Sequence, residues 1–318
     1  MFTRDIIRPA MFAVVVLLIC GTLWAARPLR RARVPKWSRS VEDVFFTDAR
    51  QKLVGPRPAS TATAGDNPNI KANVNQPPPS GATAQGGFTW SKLIEPEVLE
   101  DEVKGIQRRI GQSLESGTKF KGGGYKQARA DLSVLATVYA IIAEYDGHVR
   151  WKDQAAGVRN LMARAGFNCK VGTDASFKEA TLRRDDLDQL VQGGTIEAPK
   201  AEAKAKWDAV TDRPPLMQRL EQAHQQGLTP WTSDAGQFKQ HSGRLLHEAQ
   251  LLAAIAEVIQ RDGFEYADDE SYLGFAKTMR AQGQEVTDAV QKNDYERARK
   301  AVGQIEKSCS NCHEAFRS

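Results

Sequence analysis

The sequence predicts an all-α protein, built as two tandem four-helix bundles that follow an N-terminal transmembrane helix and a disordered tether. Through most of residues 92–318, apolar residues recur at three- and four-residue steps, and no segment shows sustained two-residue alternation. The two halves of this region also match each other in order. Ahead of them, an uncharged stretch and a proline- and glycine-rich stretch break the helical pattern.

The uncharged stretch covers residues 10–26 and reads AMFAVVVLLICGTLWAA. Its length is near the lower limit for a helix that spans a bilayer, and it could equally be the apolar part of a secretory signal. Trp24, Ala25 and Ala26 followed by Arg27 make a poor cleavage site. We therefore expect an uncleaved membrane anchor with a basic flank over residues 1–40.

A linker, largely disordered, is predicted over residues 41–91. Its central part, residues 55–90, is rich in proline, glycine, alanine and small polar residues and has no apolar periodicity. Such a composition buries too little apolar surface to offset the entropy lost on ordering.

Two helical regions follow, over residues 92–195 and 212–318, and a charged linker over residues 196–211 separates them. Their order matches at a nearly constant offset, since Tyr125-Lys126-Gln127 resembles Phe238-Lys239-Gln240 and residues 162–166 (MARAG) resemble residues 279–283 (MRAQG). A repeat of this length with four helical stripes in each copy predicts two four-helix bundles. The alternative is coincidence between two helical regions rich in alanine and leucine.

The net charge and the motifs of the sequence argue against some classes of function. The chain has 44 basic and 39 acidic residues, a net charge of +5, and much of that excess follows the apolar stretch directly. This modest excess argues against a nucleic-acid partner. We find no acid/base dyad, nucleophile elbow, phosphate loop or metal-carboxylate cluster, so no catalytic residue is predicted.

The informative motif is Cys-Ser-Asn-Cys-His at residues 309–313. Two thiols one helical turn apart can each add to a vinyl group of one porphyrin, and the adjacent imidazole then reaches the iron. The motif predicts one covalent haem c, with thioethers from Cys309 and Cys312 and an iron ligand from His313. A redox dithiol or half of a zinc site is the alternative. However, zinc needs a second ligand pair, and Cys169 stands alone.

The sequence around this motif, residues 295–318, resembles the C-terminal helix of the cytochrome c′ family. Members of that family are four-helix bundles whose haem is attached near the chain end by Cys-x-x-Cys-His, followed by an aromatic and a basic residue. Phe316 and Arg317 match those two positions. The resemblance extends less specifically over residues 212–318.

The first half resembles a degenerate copy without haem, over residues 92–195. It keeps Trp151 and Asp153 before its third helix, where the family often has Trp-x-Asp. Gly193 and Gly194 occupy the place where a haem motif would fall. The resemblance therefore implies one haem per chain.

In the family, the first helix of the bundle covers the haem face opposite the proximal histidine. The residues that correspond here are Met217, Leu220 and His224, which share one helix face. An apolar Leu220 against the haem would leave the iron five-coordinate, whereas Met217 as a sixth ligand would close the site. The family pattern favours five-coordinate iron, but this helix lacks the Tyr-Arg-Gln stretch that would fix its register. Arg317, four residues after His313, is expected to return to the proximal side, where its charge could tune the potential or could simply be solvated.

The predicted function is that of a membrane-anchored mono-haem cytochrome for electron transfer or diatomic gas binding, with its bundles outside the cytoplasm. Six basic residues after the apolar stretch and two before it favour the opposite orientation. We give the haem motif more weight, because c-type haem is attached outside the bacterial cytoplasm. The expected partners are the membrane and redox proteins, with a homodimer as a further option.

Two other functions stay open at this point. The chain could be a structural or docking subunit of a larger membrane redox complex, with the haemless bundle as its interaction surface. It could also be a haem enzyme of the peroxidase or nitric oxide-handling type, for which His224 is the candidate polar group beside the haem.

Overall fold

The computed structural model describes residues 88–317, and every regular element within them is helical, which confirms the all-α class for this part of the chain. The long helices form two consecutive groups of four. The first group consists of α1 (Pro96–Ser113), α2 (Tyr125–Glu144), α3 (Lys152–Asn168) and α4 (Asp174–Val191). The second group consists of α5 (Arg213–Ala223), α6 (Ser242–Val258), α7 (Glu270–Gln291) and α8 (Tyr295–Phe316).

The predicted anchor and most of the predicted linker lie outside the described residues. Within residues 88–317, no helix combines the length and the apolar character needed to cross a membrane. The last residues of the predicted linker belong to the folded region: Trp90, in a 3-10 turn over Trp90–Lys92, is 2% exposed. Its ring centroid lies 5.9 Å from that of Trp207.

Short polar residues define where several helices begin. The Thr173 side chain accepts a hydrogen bond from the backbone N–H of Ser176, and the Ser176 hydroxyl accepts one from Thr173 in return, a capping box for α4. Asp294 accepts from the backbone N–H of Arg297 at the start of α8. These caps satisfy N–H groups that the first turn of a helix leaves without partners.

The two groups of helices share one continuous hydrophobic core. The helices α2 and α6 are the most buried, with all residues of 131–143 and 249–258 inside. A helix that is buried on nearly all sides must be surrounded by others. The helix α5 packs on α2 of the first group as well as on α6 of its own group. The division into two separate domains stays a prediction.

Corresponding glycines allow close helix packing in both groups. A Cβ atom at Gly166 of α3 would lie 3.0 Å from Ser133 Oγ of α2. At Gly283 of α7, a Cβ atom would lie 2.9 Å from the carbonyl oxygen of Ala249 and 3.0 Å from Ala253 Cβ, both on α6. The two glycines occupy corresponding positions of the predicted repeat, and this agreement supports the repeat.

We expect Gly283→Ala to lower the free energy of unfolding by about 1–3 kcal/mol, since the added methyl group must push α6 and α7 apart. The matched control is Gly274→Ala on the same helix, where a Cβ atom meets nothing within 4 Å. That substitution should stabilise the protein by about 0.5–1 kcal/mol, because alanine loses less backbone entropy than glycine. Urea unfolding followed by circular dichroism measures both, and equal effects would contradict the close packing.

The predicted linker between the two halves lies along α3 in its first part. Arg159, on α3, donates hydrogen bonds to the carbonyl oxygens of Ala203 (2.9 Å) and Glu202 (3.0 Å). A Cβ atom at Gly157 would lie 2.5 Å from the carbonyl oxygen of Pro199. The linker is therefore packed on the first group.

Candidate functional site

The Cys-x-x-Cys-His motif occupies the last two turns of α8. The buried stripe of this helix consists of Ala298, Ala301, Val302, Ile305 and Ser308. Cys309 and Cys312 continue the stripe as half-buried residues packed against the core. Residues three apart on an α-helix lie on neighbouring positions of one face. The two thiols therefore face the bundle, one turn apart, at its end.

Each thiol has a different environment. Cys309 Sγ lies 4.0 Å from Met279 Sδ of α7, and burial raises its pKa to about 11, with Cys312 as a smaller cause. Burial also raises the pKa of Cys312, and the positive charge of Arg213 partly opposes that effect. In the chain alone, burial therefore favours the protonated form of both thiols.

A zinc site would need further ligands beside the two thiols. Within residues 88–317, no group of three histidine, cysteine or acidic side chains is placed to hold a metal ion. Cys169 is a buried free cysteine of the first group, and burial raises the pKa of its thiol to about 12. It behaves as a small core residue.

His313 and Arg317 lie at the open end of α8. His313 is exposed on the last turn, with its imidazole accessible next to Cys312. The helix ends at Phe316, but the backbone N–H of Arg317 still donates to the carbonyl oxygen of His313 over 3.1 Å. The Arg317 side chain is exposed, and its position on the proximal side of a haem stays a prediction.

An aromatic cluster encloses the same end of the bundle. The ring of Phe316 lies 5.1 Å from that of Tyr266 and 5.6 Å from that of Tyr272, measured between centroids. The guanidinium of Arg213 lies 5.0 Å from the Tyr266 ring centroid and 5.9 Å from that of Tyr272. Burial raises the pKa of the Tyr272 hydroxyl, and the neighbouring Arg213 guanidinium partly opposes that effect. The cluster therefore presents a cation and a buried hydroxyl beside the thiols.

The helix α5 runs antiparallel to α8 along this site. Arg213, at the start of α5, acts on Cys312 near the end of α8, whereas His224, just after α5, is close enough to Glu306 for that carboxylate to act on it. Met217 and Leu220 lie between Arg213 and His224 along the chain. Leu220 is 6% exposed and Met217 is half-buried against the core.

The remaining histidines have other surroundings. Burial lowers the pKa of His224, against the opposing effect of Glu306, and its Nε2 lies 3.3 Å from Thr229 Oγ1. His241 stacks on Trp231, with ring centroids 5.3 Å apart. His247 Nε2 lies 3.2 Å from Glu102 Oε2, in an ion-pair cluster away from the motif.

The corresponding end of the first group is filled by protein. Trp151 adopts a left-handed backbone conformation (φ 67°), and its Nε1 donates to the carbonyl oxygen of Leu190 over 2.9 Å. Arg150 Nη2 donates to the carbonyl oxygen of Val191 over 2.8 Å. These two side chains cover the C-terminus of α4, and Gly193 follows with a φ of 94°.

Comparison with known proteins gives a match within the second group of helices. Residues 265–317 match the family model for cytochrome c′. The match points to a c-type cytochrome. It confirms the resemblance for the C-terminal region, which contains α7, α8 and the aromatic cluster, and it implies c-type haem binding there. No curated protein and no solved structure matches the chain. The wider resemblance over residues 212–318 and the haemless copy stay predictions.

The residues of this cytochrome c′-like region, 265–317, fit a c-type haem. The thiols are half-buried, one turn apart and free, and the imidazole beside them is exposed. Sequence reasoning identified the motif but missed Met279, Tyr272 and Arg213. The family match includes the first two, whereas Arg213 is separated from the motif in sequence and carries no local signal.

Proposed function

We propose that this chain is a membrane-anchored mono-haem c-type cytochrome that transfers electrons or binds a diatomic gas outside the cytoplasm. The observation that carries the proposal is the pair of half-buried thiols one turn apart, followed by an exposed imidazole, inside the region that matches cytochrome c′. Cys309 and Cys312 would hold the haem through thioethers and His313 would ligate its iron. The haem supplies an iron centre that can exchange one electron or bind a gas.

A single haem per chain is part of the proposal. In the first group, Arg150 and Trp151 bond to the last carbonyl groups of α4, where Gly193 and Gly194 replace the motif. That end offers neither a thiol pair nor an imidazole to a porphyrin.

The location of the protein also belongs to the proposal. The apolar residues 10–26 support an anchor, and residues 55–90 support a tether between the anchor and the helices. Covalent haem attachment supports an external position for the helical region. The count of basic residues around the apolar stretch remains the argument against that orientation.

The choice between gas binding and electron transfer depends on α5. With Leu220 over the iron, a bound haem would keep a site that a neutral gas could enter. With Met217 as a ligand, that site would be closed and the potential would be higher, which would favour electron transfer. We favour the open site, because the matched family has it in many members.

The ferrous spectrum with and without CO tests this choice. We expect a broad Soret band and rapid CO binding in the wild-type chain, and Met217→Ala should leave both unchanged. The control is Gln218→Ala, at an exposed position of the same helix. Split visible bands that resist CO in the wild type, and that are lost in Met217→Ala but kept in Gln218→Ala, would show that Met217 ligates the iron.

A further inference from the structure

A buried ion-pair cluster joins the haemless first group to the helix that carries Met217 and Leu220. Arg219 of α5 is 6% exposed, and it contacts Glu102 of α1, which is 3% exposed, and Glu248 of α6. Its Nε and Nη2 each lie 3.1 Å from one oxygen of Glu102. Its Nη1 and Nη2 lie 2.7 and 3.1 Å from the two oxygens of Glu248. One guanidinium thus binds two carboxylates from two other helices.

Further charged groups fix Glu102 in place. His247 Nε2 lies 3.2 Å from one of its oxygens and Arg109 Nη2 lies 3.4 Å from the other. Arg109 also donates from Nε to Asp131 Oδ1 of α2 over 2.9 Å. Burial alone would raise the pKa of Glu102, but Arg219, His247 and Arg109 outweigh it and hold that pKa below its ordinary value. The cluster therefore links α1, α2, α5 and α6.

The double pairing of Arg219 favours one rotation of α5 about its own axis. A guanidinium is a planar fork that matches a carboxylate in few orientations, and here it must match two at once. A rotation of α5 would take Arg219 away from the buried Glu102 and the half-buried Glu248, and the cost is large where the carboxylate is buried. Buried ion pairs contribute little net stability relative to apolar packing, and their best-attested use is to specify register.

Met217 and Leu220 point in directions different from that of Arg219 around the axis of α5. Successive residues on an α-helix are about 100° apart, so Arg219 projects about 160° from Met217. Arg219 faces the first group and α6, whereas Met217 faces away from them. Any rotation that freed Arg219 would move Met217 and Leu220 together.

We propose that Arg219 is a positioning residue: its pairing with Glu102 and Glu248 sets the rotation of α5 and thereby decides which side chain, Leu220 or Met217, covers the haem iron. This inference rests on the proposed function. It gives the haemless first group a role, since Glu102 belongs to that group. Through Glu102, the first group holds α5 in place and thereby controls the ligand-binding side of a haem that the second group carries.

The test compares two buried carboxylates in the haem-loaded full chain. Glu102→Gln removes one partner of Arg219. The matched control is Glu257→Gln: Glu257 is 7% exposed and pairs with Arg261 and Arg280, with no contact to Arg219. The readouts are the CO association rate, the ferric spin-state bands, and amide hydrogen exchange over residues 216–223.

We expect Glu102→Gln to change the CO association rate by about three- to tenfold, to mix the ferric spin states and to speed amide exchange in α5. Glu257→Gln should lower the unfolding midpoint and leave all three readouts as in the wild type. If Glu102→Gln does not fold, Glu248→Gln removes the more exposed partner and should change the readouts in the same direction by a smaller factor.

Three results would overturn the inference. An unchanged rate and spectrum in folded Glu102→Gln or Glu248→Gln would show that Arg219 does not set α5. Equal changes in Glu257→Gln would show that general loosening is the cause. A wild-type chain without covalent haem would overturn the proposed function together with the inference, so the two failures are distinguishable.

Discussion

Replacing Cys309 and Cys312 together by serine is expected to abolish covalent haem attachment. Both thioether bonds require a sulfur atom, and a hydroxyl does not add to a vinyl group under the same conditions. Each single substitution should leave one thioether and reduce the yield of haem-bearing protein severalfold. Haem that resists acid-acetone extraction, quantified as pyridine haemochrome per polypeptide, measures the effect.

Cys169→Ala provides the control for this prediction. Cys169 is fully buried in the first group and stands apart from the motif in both sequence and fold. Its removal should keep one covalent haem per chain and cost only some packing energy. Haem that remains attached in the double serine variant, or two haems in the wild type, would contradict the proposed attachment at a single site.

Replacing Arg219 by methionine is expected to lower the free energy of unfolding at neutral pH by about 3–5 kcal/mol. The variant leaves Glu102, which is 3% exposed, buried with only His247 and Arg109 as partners. Breaking a buried ion pair from one side is costly because the remaining charge keeps its desolvation penalty. Adding Glu102→Gln to Arg219→Met should recover part of the loss, since no uncompensated charge remains at that position.

The loss should depend on pH in a defined direction. In the native chain, Arg219, His247 and Arg109 outweigh burial and hold the folded pKa of Glu102 below its ordinary value of 4.5. The stabilisation by ionised Glu102 is therefore present above pH 4.5 and is lost as the pH falls through the folded pKa. Without Arg219, burial raises the pKa of Glu102 above its value in the wild type. Protonation of Glu102 at low pH then removes part of the cost of burying its charge.

Urea unfolding of both chains at about pH 7 and about pH 4 tests this sign. The difference between Arg219→Met and wild type should be larger at the higher pH. The control is Arg164→Met, which removes an exposed cation that pairs with the half-buried Glu179 outside the cluster. That loss should be about 0–1 kcal/mol at either pH. A loss of this small size in Arg219→Met would show that the cluster does not stabilise the fold.

The sequence by itself determined the features that depend on local spacing. Apolar residues at three- and four-residue steps set the helical class, because those steps define one face of an α-helix. The spacing of Cys309 and Cys312 places their thiols on one face wherever the helix packs. The same argument placed Met217, Leu220 and His224 on one face of α5. None of these conclusions needs a contact between distant segments.

The tertiary structure alone decided which distant groups meet. Arg219 and Glu102 are 117 positions apart and have no local pattern that pairs them. Arg213 comes to act on Cys312 because α5 runs antiparallel to α8. Helix periodicity fixes the face of each side chain, whereas the packing of whole helices against one another fixes its partner, because a buried charge such as that of Glu102 needs a partner that another helix supplies.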